Sequence, residues 1–172
     1  AGRSVVDGGG YDACMETLIA ASGTSATVIV AVDASGLLAD DHDDDTTDDA
    51  TEDAADDATD DPTDDAAADD DHDDHNHVEG FNEHVWYSLH GMEHLAEAIE
   101  AALVELDPAG DATFEANTAE FIAGIESLET RADEIESSIG HVHALVSEPV
   151  ALHLLDEVGI ENVTPEAFTS AV

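Results

Sequence analysis

The stretch SVVDGGGYDACMETLIAASGTSATVIVAV, residues 4–32, decides the fold class. Ser4-Val5-Val6-Asp7 is a short apolar stub that runs into Gly8-Gly9-Gly10, a tight turn at a strand end, where glycine tolerates backbone angles closed to other residues. A helix follows from Tyr11 or Asp12, with Met15, Leu18 and Ile19 on one side and Gly23 as its stop. Residues 26–32, Ala-Thr-Val-Ile-Val-Ala-Val, are β-branched and continuous, the pattern of a buried strand. Strand, glycine turn, helix and strand in that order predict an α/β fold. The glycines are not a phosphate loop, since no Gly-Lys-Ser/Thr follows them. Cys14, the single cysteine, reads as packing on the helix face and excludes an intrachain disulfide or a CxxC zinc motif.

Further along, Met92, Leu95, Ala96, Ile99, Ala102, Leu103 and Leu106 recur at three and four, an amphipathic helix ended by Pro108. Asp111 is a suitable N-cap for the next element. Phe114, Thr118, Phe121, Ile125, Leu128, Ala132, Ile135 and Ile139 hold an alternating four and three spacing, a helix on the order of 40 Å long. A coiled coil would give the same spacing, but the seam is short and contains Thr118 and Ala132. A single long helix packed on a globular body, joining two lobes, fits better. Gly140 stops it, Val142 to Val146 reads as a strand, and Glu148-Pro149 opens a short helix that Gly159 closes. Thr164-Pro165-Glu166 starts one more.

Between these ordered stretches lies a polyanion. The 172 residues carry 44 Asp plus Glu against two Arg, Arg3 and Arg131, and no Lys, a formal charge of −42. Residues 40–77 alone hold 20 of the acids and 4 of the 10 His, with no Lys, Arg or aromatic. Such a segment has too little apolar surface and too much like charge to collapse, so it is expected to be disordered without metal. The charge excludes an electrostatic nucleic-acid binder and argues against docking on anionic lipid. The acid excess outside the segment resembles proteins adapted to high salt. No run reaches the ~18 apolar residues of a membrane span, and no signal peptide is expected, because Ala1-Gly2-Arg3-Ser4 has no apolar region behind it.

Histidine carries the candidate chemistry. His72, His75 and His77 stand three and two apart among Asp residues, a cluster that binds transition metal weakly almost regardless of conformation, with His42 further upstream. The segment is not an EF-hand, because residues 37–79 contain no Gly for the sixth loop position. His84 follows in Asn82-Glu83-His84-Val85-Trp86; neutral imidazole is the usual zinc ligand beside carboxylates. His90-Gly91-Met92-Glu93-His94 matches the inverted zinc-peptidase pattern H-x-x-E-H, though Gly91 inside it weakens a catalytic helix.

Gly8-Gly9-Gly10-Tyr11-Asp12, the acidic His-bearing insert, Asn82-x-His84-Val85-Trp86, the long helix and Ser147-Glu148-Pro149-Val150 occur in one order. That order resembles the zinc and manganese solute-binding proteins of ABC importers, the ZnuA-type cluster. The resemblance implies two α/β lobes joined by one rigid helix, with metal held between them and no reaction catalysed. It implies His84 as the ligand of an Asn-Pro-His-Val-Trp motif, here with Glu83 in place of the proline. Glu148 stands where a His commonly opens a helix of the second lobe, as in a branch of the family that reads Thr-Glu-Pro-Val. The loop histidines His42, His72, His75 and His77 would gather metal for the main site.

On this reading residues 1–39 close an N-terminal lobe, 40–80 form the metal-gathering loop, and 81–110 complete that lobe. Residues 111–140 are the linking helix and 141–172 begin a C-terminal lobe, the chain being the middle of the family's fold. The implied cargo is Zn2+, with Mn2+ as the alternative ion. The implied partner is an ABC permease, with no nucleic acid, and the protein is expected to be an extracytoplasmic monomer. Two other functions fit the residues: an acidic metal buffer whose Asp/His loop is the functional part, and a zinc peptidase built on His90, Glu93 and His94.

Overall fold

The computed structural model describes residues 2–40, 80–165 and 168. Strand β1 (Arg3–Val6) pairs in parallel with β2 (Thr27–Val30), Arg3 opposite Thr27 and Val6 opposite Val30. Parallel neighbours need a crossover, and α1 (Ala13–Ser22) supplies it, ending at Gly23 in the left-handed conformation. The turn between β1 and α1 needs glycine for two reasons. Gly8 has φ 86°, and a Cβ on it would collide with Val30 on the neighbouring strand.

The apolar run 26–32 is not one strand. The chain leaves β2 after Val30 and enters α2 (Ala31–Ser35), then α3 (Leu37–Asp40). Ala31 and Val32 stay buried, but in a helix; a short continuous apolar run cannot separate a buried strand from a buried helical turn. With Val85 they form the core, against which Val30, Leu37, Leu38, Phe81 and Leu95 pack.

A 3-10 turn (Val85–Tyr87) leads into α4 (Leu89–Leu106), whose first turn is capped by Ser88 Oγ accepting from Gly91 N at 3.1 Å. After a 3-10 turn at Pro108–Gly110, α5 runs from Asp111 to Ile139, 29 residues. Asp111 lies inside this helix and Gly110 at its cap; the capping side chain is Asp107, which serves the 3-10 turn through Ala109 N. Beyond Gly140, β3 (Val142–Ala144) is shorter than the apolar run 142–146 suggests. A 3-10 turn (Pro149–Ala151) and α6 (Leu152–Glu157) then cross to β4 (Ile160–Asn162), parallel to β3. β4 has only three residues with polar Glu161 and Asn162, too little pattern to read as a strand.

Helix α5 buries Ile125 and Ala132 and leaves Phe121, Leu128, Ile135 and Ile139 exposed. The seam outruns its cover, since α4 has 18 residues against 29 in α5. Cys14 is exposed, contrary to the packing role expected of it, and α1 buries no residue. Among the described residues no helix is long and apolar enough to cross a membrane.

Candidate metal centre

His84 sits at the entry of the 3-10 turn, and Asn82 controls it from both sides. Asn82 Oδ1 accepts from His84 N at 3.3 Å and lies 2.8 Å from His84 Nδ1. An amide oxygen can only accept, so the ring proton belongs on Nδ1 and the lone pair on Nε2. That is the tautomer a metal-binding imidazole needs, fixed by a partner on the other nitrogen. The same Asn82 reaches the C-terminal segment: its Nδ2 donates to Pro149 O at 3.0 Å, and its backbone oxygen accepts from His153 Nε2 at 2.9 Å. The segments bearing His84 and Glu148 therefore lie side by side.

An aromatic fence stands beside the imidazole. Tyr11 and Trp86 meet the His84 ring edge-on at 5.5 and 5.1 Å and each other at 4.8 Å. The glycine turn places Tyr11 there, its N–H bonded to Gly8 O at 3.1 Å. Asp12 tightens the turn by accepting from Asp7 N at 2.8 Å and Gly8 N at 2.9 Å. A Cβ on Gly9 would come within 3.0 Å of the Glu83 Cβ, so the turn and the motif segment touch. Negative charge gathers here: burial, then the Asp12 and Glu83 carboxylates, push the Asp7 carboxyl from 3.8 up to about 6.

Glu148 is exposed, in extended backbone at the start of the Pro149–Ala151 turn. It does not join His84 in any group of three or more donors among the described residues. His42, His72, His75 and His77 lie outside the described residues. Neither the positioning role of Asn82 nor the part played by His153 is anticipated by the sequence. Asn82 is visible as part of the motif, whereas His153 offers no signal beyond following Glu148 by one short turn.

The H-x-x-E-H residues all lie in the first two turns of α4. His94 Nδ1 is engaged with Ser35 O at 3.1 Å, and its ring lies tilted against that of His90, centroids 4.3 Å apart. The donors that do converge are His90, Glu93 and, from α5, Glu129. Glu129 could not be found from local pattern, because its partners lie on another helix.

The family model described as "ZnuA: Zinc-uptake complex component A periplasmic" matches residues 1–171. Among solved structures, a ZnuA deletion mutant with zinc bound is 16% identical, with a TM-score of 0.60, covering 96% of this chain and 51% of that chain. A crystal structure of ZnuA is 25% identical, with a TM-score of 0.45, covering 51% of this chain and 35% of that chain. No curated protein matches. The chain thus has the fold of the zinc-bound deletion mutant over about half of that structure's length.

Proposed function

This chain belongs to the ZnuA family, the periplasmic component A of zinc-uptake complexes, and from that membership we propose that it binds zinc reversibly for delivery to an ABC permease. The match over residues 1–171 carries the reading. No reaction is catalysed, and the site is extracytoplasmic. Residues 1–39 and 81–110 serve as one lobe, 111–140 as the link and 141–172 as part of the other, with 40–80 gathering metal. The protein acts as a monomer without nucleic acid.

His84 is the primary ligand on this reading. Its Nε2 is presented by the Asn82 bond, and Tyr11 and Trp86 hold the ring edge-on. On this reading Glu148, borne on the adjoining segment, and the loop residues His42, His72, His75 and His77 complete the donor set once metal is bound. A set with few protein donors leaves positions to water, which suits an ion that must be handed on. A carboxylate at Glu148 also admits manganese, which prefers oxygen more than zinc does.

Zinc titration of the full chain against a chromophoric chelator tests the assignment. His84→Ala should weaken the tightest site by at least tenfold, whereas His90→Ala should leave it unchanged. The composition of residues 40–77, with 20 of the 44 acids, favours one second reading: a metal buffer in which the loop is the whole function. That reading requires zinc capacity to vanish when His42, His72, His75 and His77 are changed to Asn and to survive His84→Ala.

A further inference from the structure

The α4–α5 junction carries donors that the zinc-uptake reading does not use. His90 and Glu93 occupy one face of α4, with His90 Nδ1 3.7 Å from Glu93 Oε2. Glu129 comes from α5, and one donor atom from each of the three lies within 4.8 Å of the others. Two donors at zinc-ligand distance on one tetrahedral ion stand about 3.4 Å apart, so small rotations about the side-chain bonds suffice to close the set. Glu93 Oε1 is buried and has no hydrogen-bond partner among the described residues. A buried carboxylate oxygen left in that condition is costly, and a cation beside it removes the cost. The His90 side chain, by contrast, is 63% exposed, which gives an ion its way in.

The surroundings hold the donors in place and leave room between them. Ser35 O fixes His94, and the His94 ring lies tilted against that of His90. The buried small side chain of Ala132 opens a cavity of about 430 Å³ that is also lined by His90, Glu129, Asp133 and Glu157. Glu157 arrives from α6 and accepts from Leu89 N at 2.8 Å through Oε1, which places its carboxylate at the edge of this cavity. Burial, with the Glu129 carboxylate, raises the Glu157 carboxyl against the lowering by the Leu89 amide, His153 and His90.

We propose that His90, Glu93 and Glu129 form a second site for a divalent transition-metal ion of the zinc class, separate from His84, with Glu157 on α6 as its outer partner. An imidazole nitrogen with two carboxylates suits zinc and its first-row neighbours, whereas calcium and magnesium take oxygen donors. Bound there, the ion ties α4 to α5 and, through Glu157, to α6. The proposal does not rest on the uptake function, since it uses none of the residues assigned to the His84 site.

Long-range ¹H–¹⁵N correlation of the histidine rings, in the full chain titrated with zinc, tests it. The His90 ring, assigned from its loss in His90→Ala, should shift to a metal-bound position as a separate event from His84. Glu129→Gln keeps helix propensity and side-chain size; it should raise the zinc concentration needed at His90 about tenfold without moving the His84 response. Glu93→Gln should do the same. A His90 ring unmoved when the other histidines are saturated, or a Glu129→Gln midpoint equal to that of the unaltered chain, overturns the site. Response at His90 without response at His84 upholds this site and sinks the assignment of His84.

Discussion

Asn82 holds three partners with one side chain and one carbonyl: His84, Pro149 and His153. Its loss by Asn82→Ala frees the His84 ring to take the other tautomer and to rotate. Zinc affinity should then fall about tenfold to a hundredfold, the usual cost of losing a residue that orients a ligand; calorimetric titration measures it. Asp7 presents the opposite situation, a carboxyl made uncomfortable by its place. Its folded value of about 6 lies above the ordinary 3.8, so the folded chain holds the proton more tightly than the unfolded chain does. The stability this contributes is fully present below the unfolded value and is lost as pH rises through about 6. Asp7→Asn should therefore stabilise the protein by about 1 kcal/mol at pH 7.5, after allowance for solvent screening, and by nothing at pH 3.5. Thermal unfolding at the two pH values decides it. Little of this was legible in the sequence: His84 stands in a readable motif, but the burial of Asp7 and the convergence on Asn82 depend on segments far apart in the chain.

At the scale of elements, α4 shows why a glycine sits in a helix interior. Gly91 looks like a weakness in the sequence, where alanine is worth about 1 kcal/mol more. In the fold a Cβ there would meet Ser35 Cβ at 3.1 Å, Ser88 Oγ at 3.2 Å and Ser88 Cβ at 3.3 Å. Neither neighbour can move freely. Ser35 is buried with its hydroxyl on Val32 O at 2.7 Å, and Ser88 is the helix cap. Gly91→Ala should thus destabilise by about 1 kcal/mol despite its helix propensity, overpacking exceeding the gain. Ser88→Ala should cost about 1 kcal/mol or somewhat more, because the cap is buried. Urea unfolding of both variants, with unchanged slopes, checks these values. The longer helices were readable, since α1, α4 and α5 carry periodicity and stops, whereas the short α2 and α3 were not. The division of 26–32 into β2 and α2 was not, because burial on all sides erases periodicity. The three-residue β4 was not either.

For the whole molecule, charge sets the conditions of both folding and binding. A formal charge of −42 repels itself, and salt relieves that repulsion over a screening length of about 10 Å at 0.1 M. The melting temperature should rise steadily between 20 and 500 mM sodium chloride; a flat response would show that the charges are already spaced beyond influence. Zinc binding should respond to pH through imidazole, which must be neutral to coordinate. With an ordinary histidine pKa of ~6.5, affinity should fall about tenfold per coordinating ring between pH 7.5 and 5.5. Equal affinities at the two values would mean that carboxylates alone carry the ion.

The contact between Asn82 and Pro149 has one more consequence, and it concerns time. It joins residues 67 apart in the chain, as Leu89 to Glu157 joins residues 68 apart and Asn82 to His153 residues 71 apart. The β3–α6–β4 unit and the α4–α5 pair close over shorter stretches. Loop-closure entropy makes such long connections late to form and early to open. Among the described residues these three hydrogen bonds cross the seam, with the Phe81 ring 6.5 Å from that of His153. It should open by a local excursion well below the cost of melting the helices, visible as early amide exchange at Leu89 while the middle of α5 stays protected. An ion held across the seam would then leave at the rate of that excursion, so its residence time becomes a property of the clasp and not of the ligands.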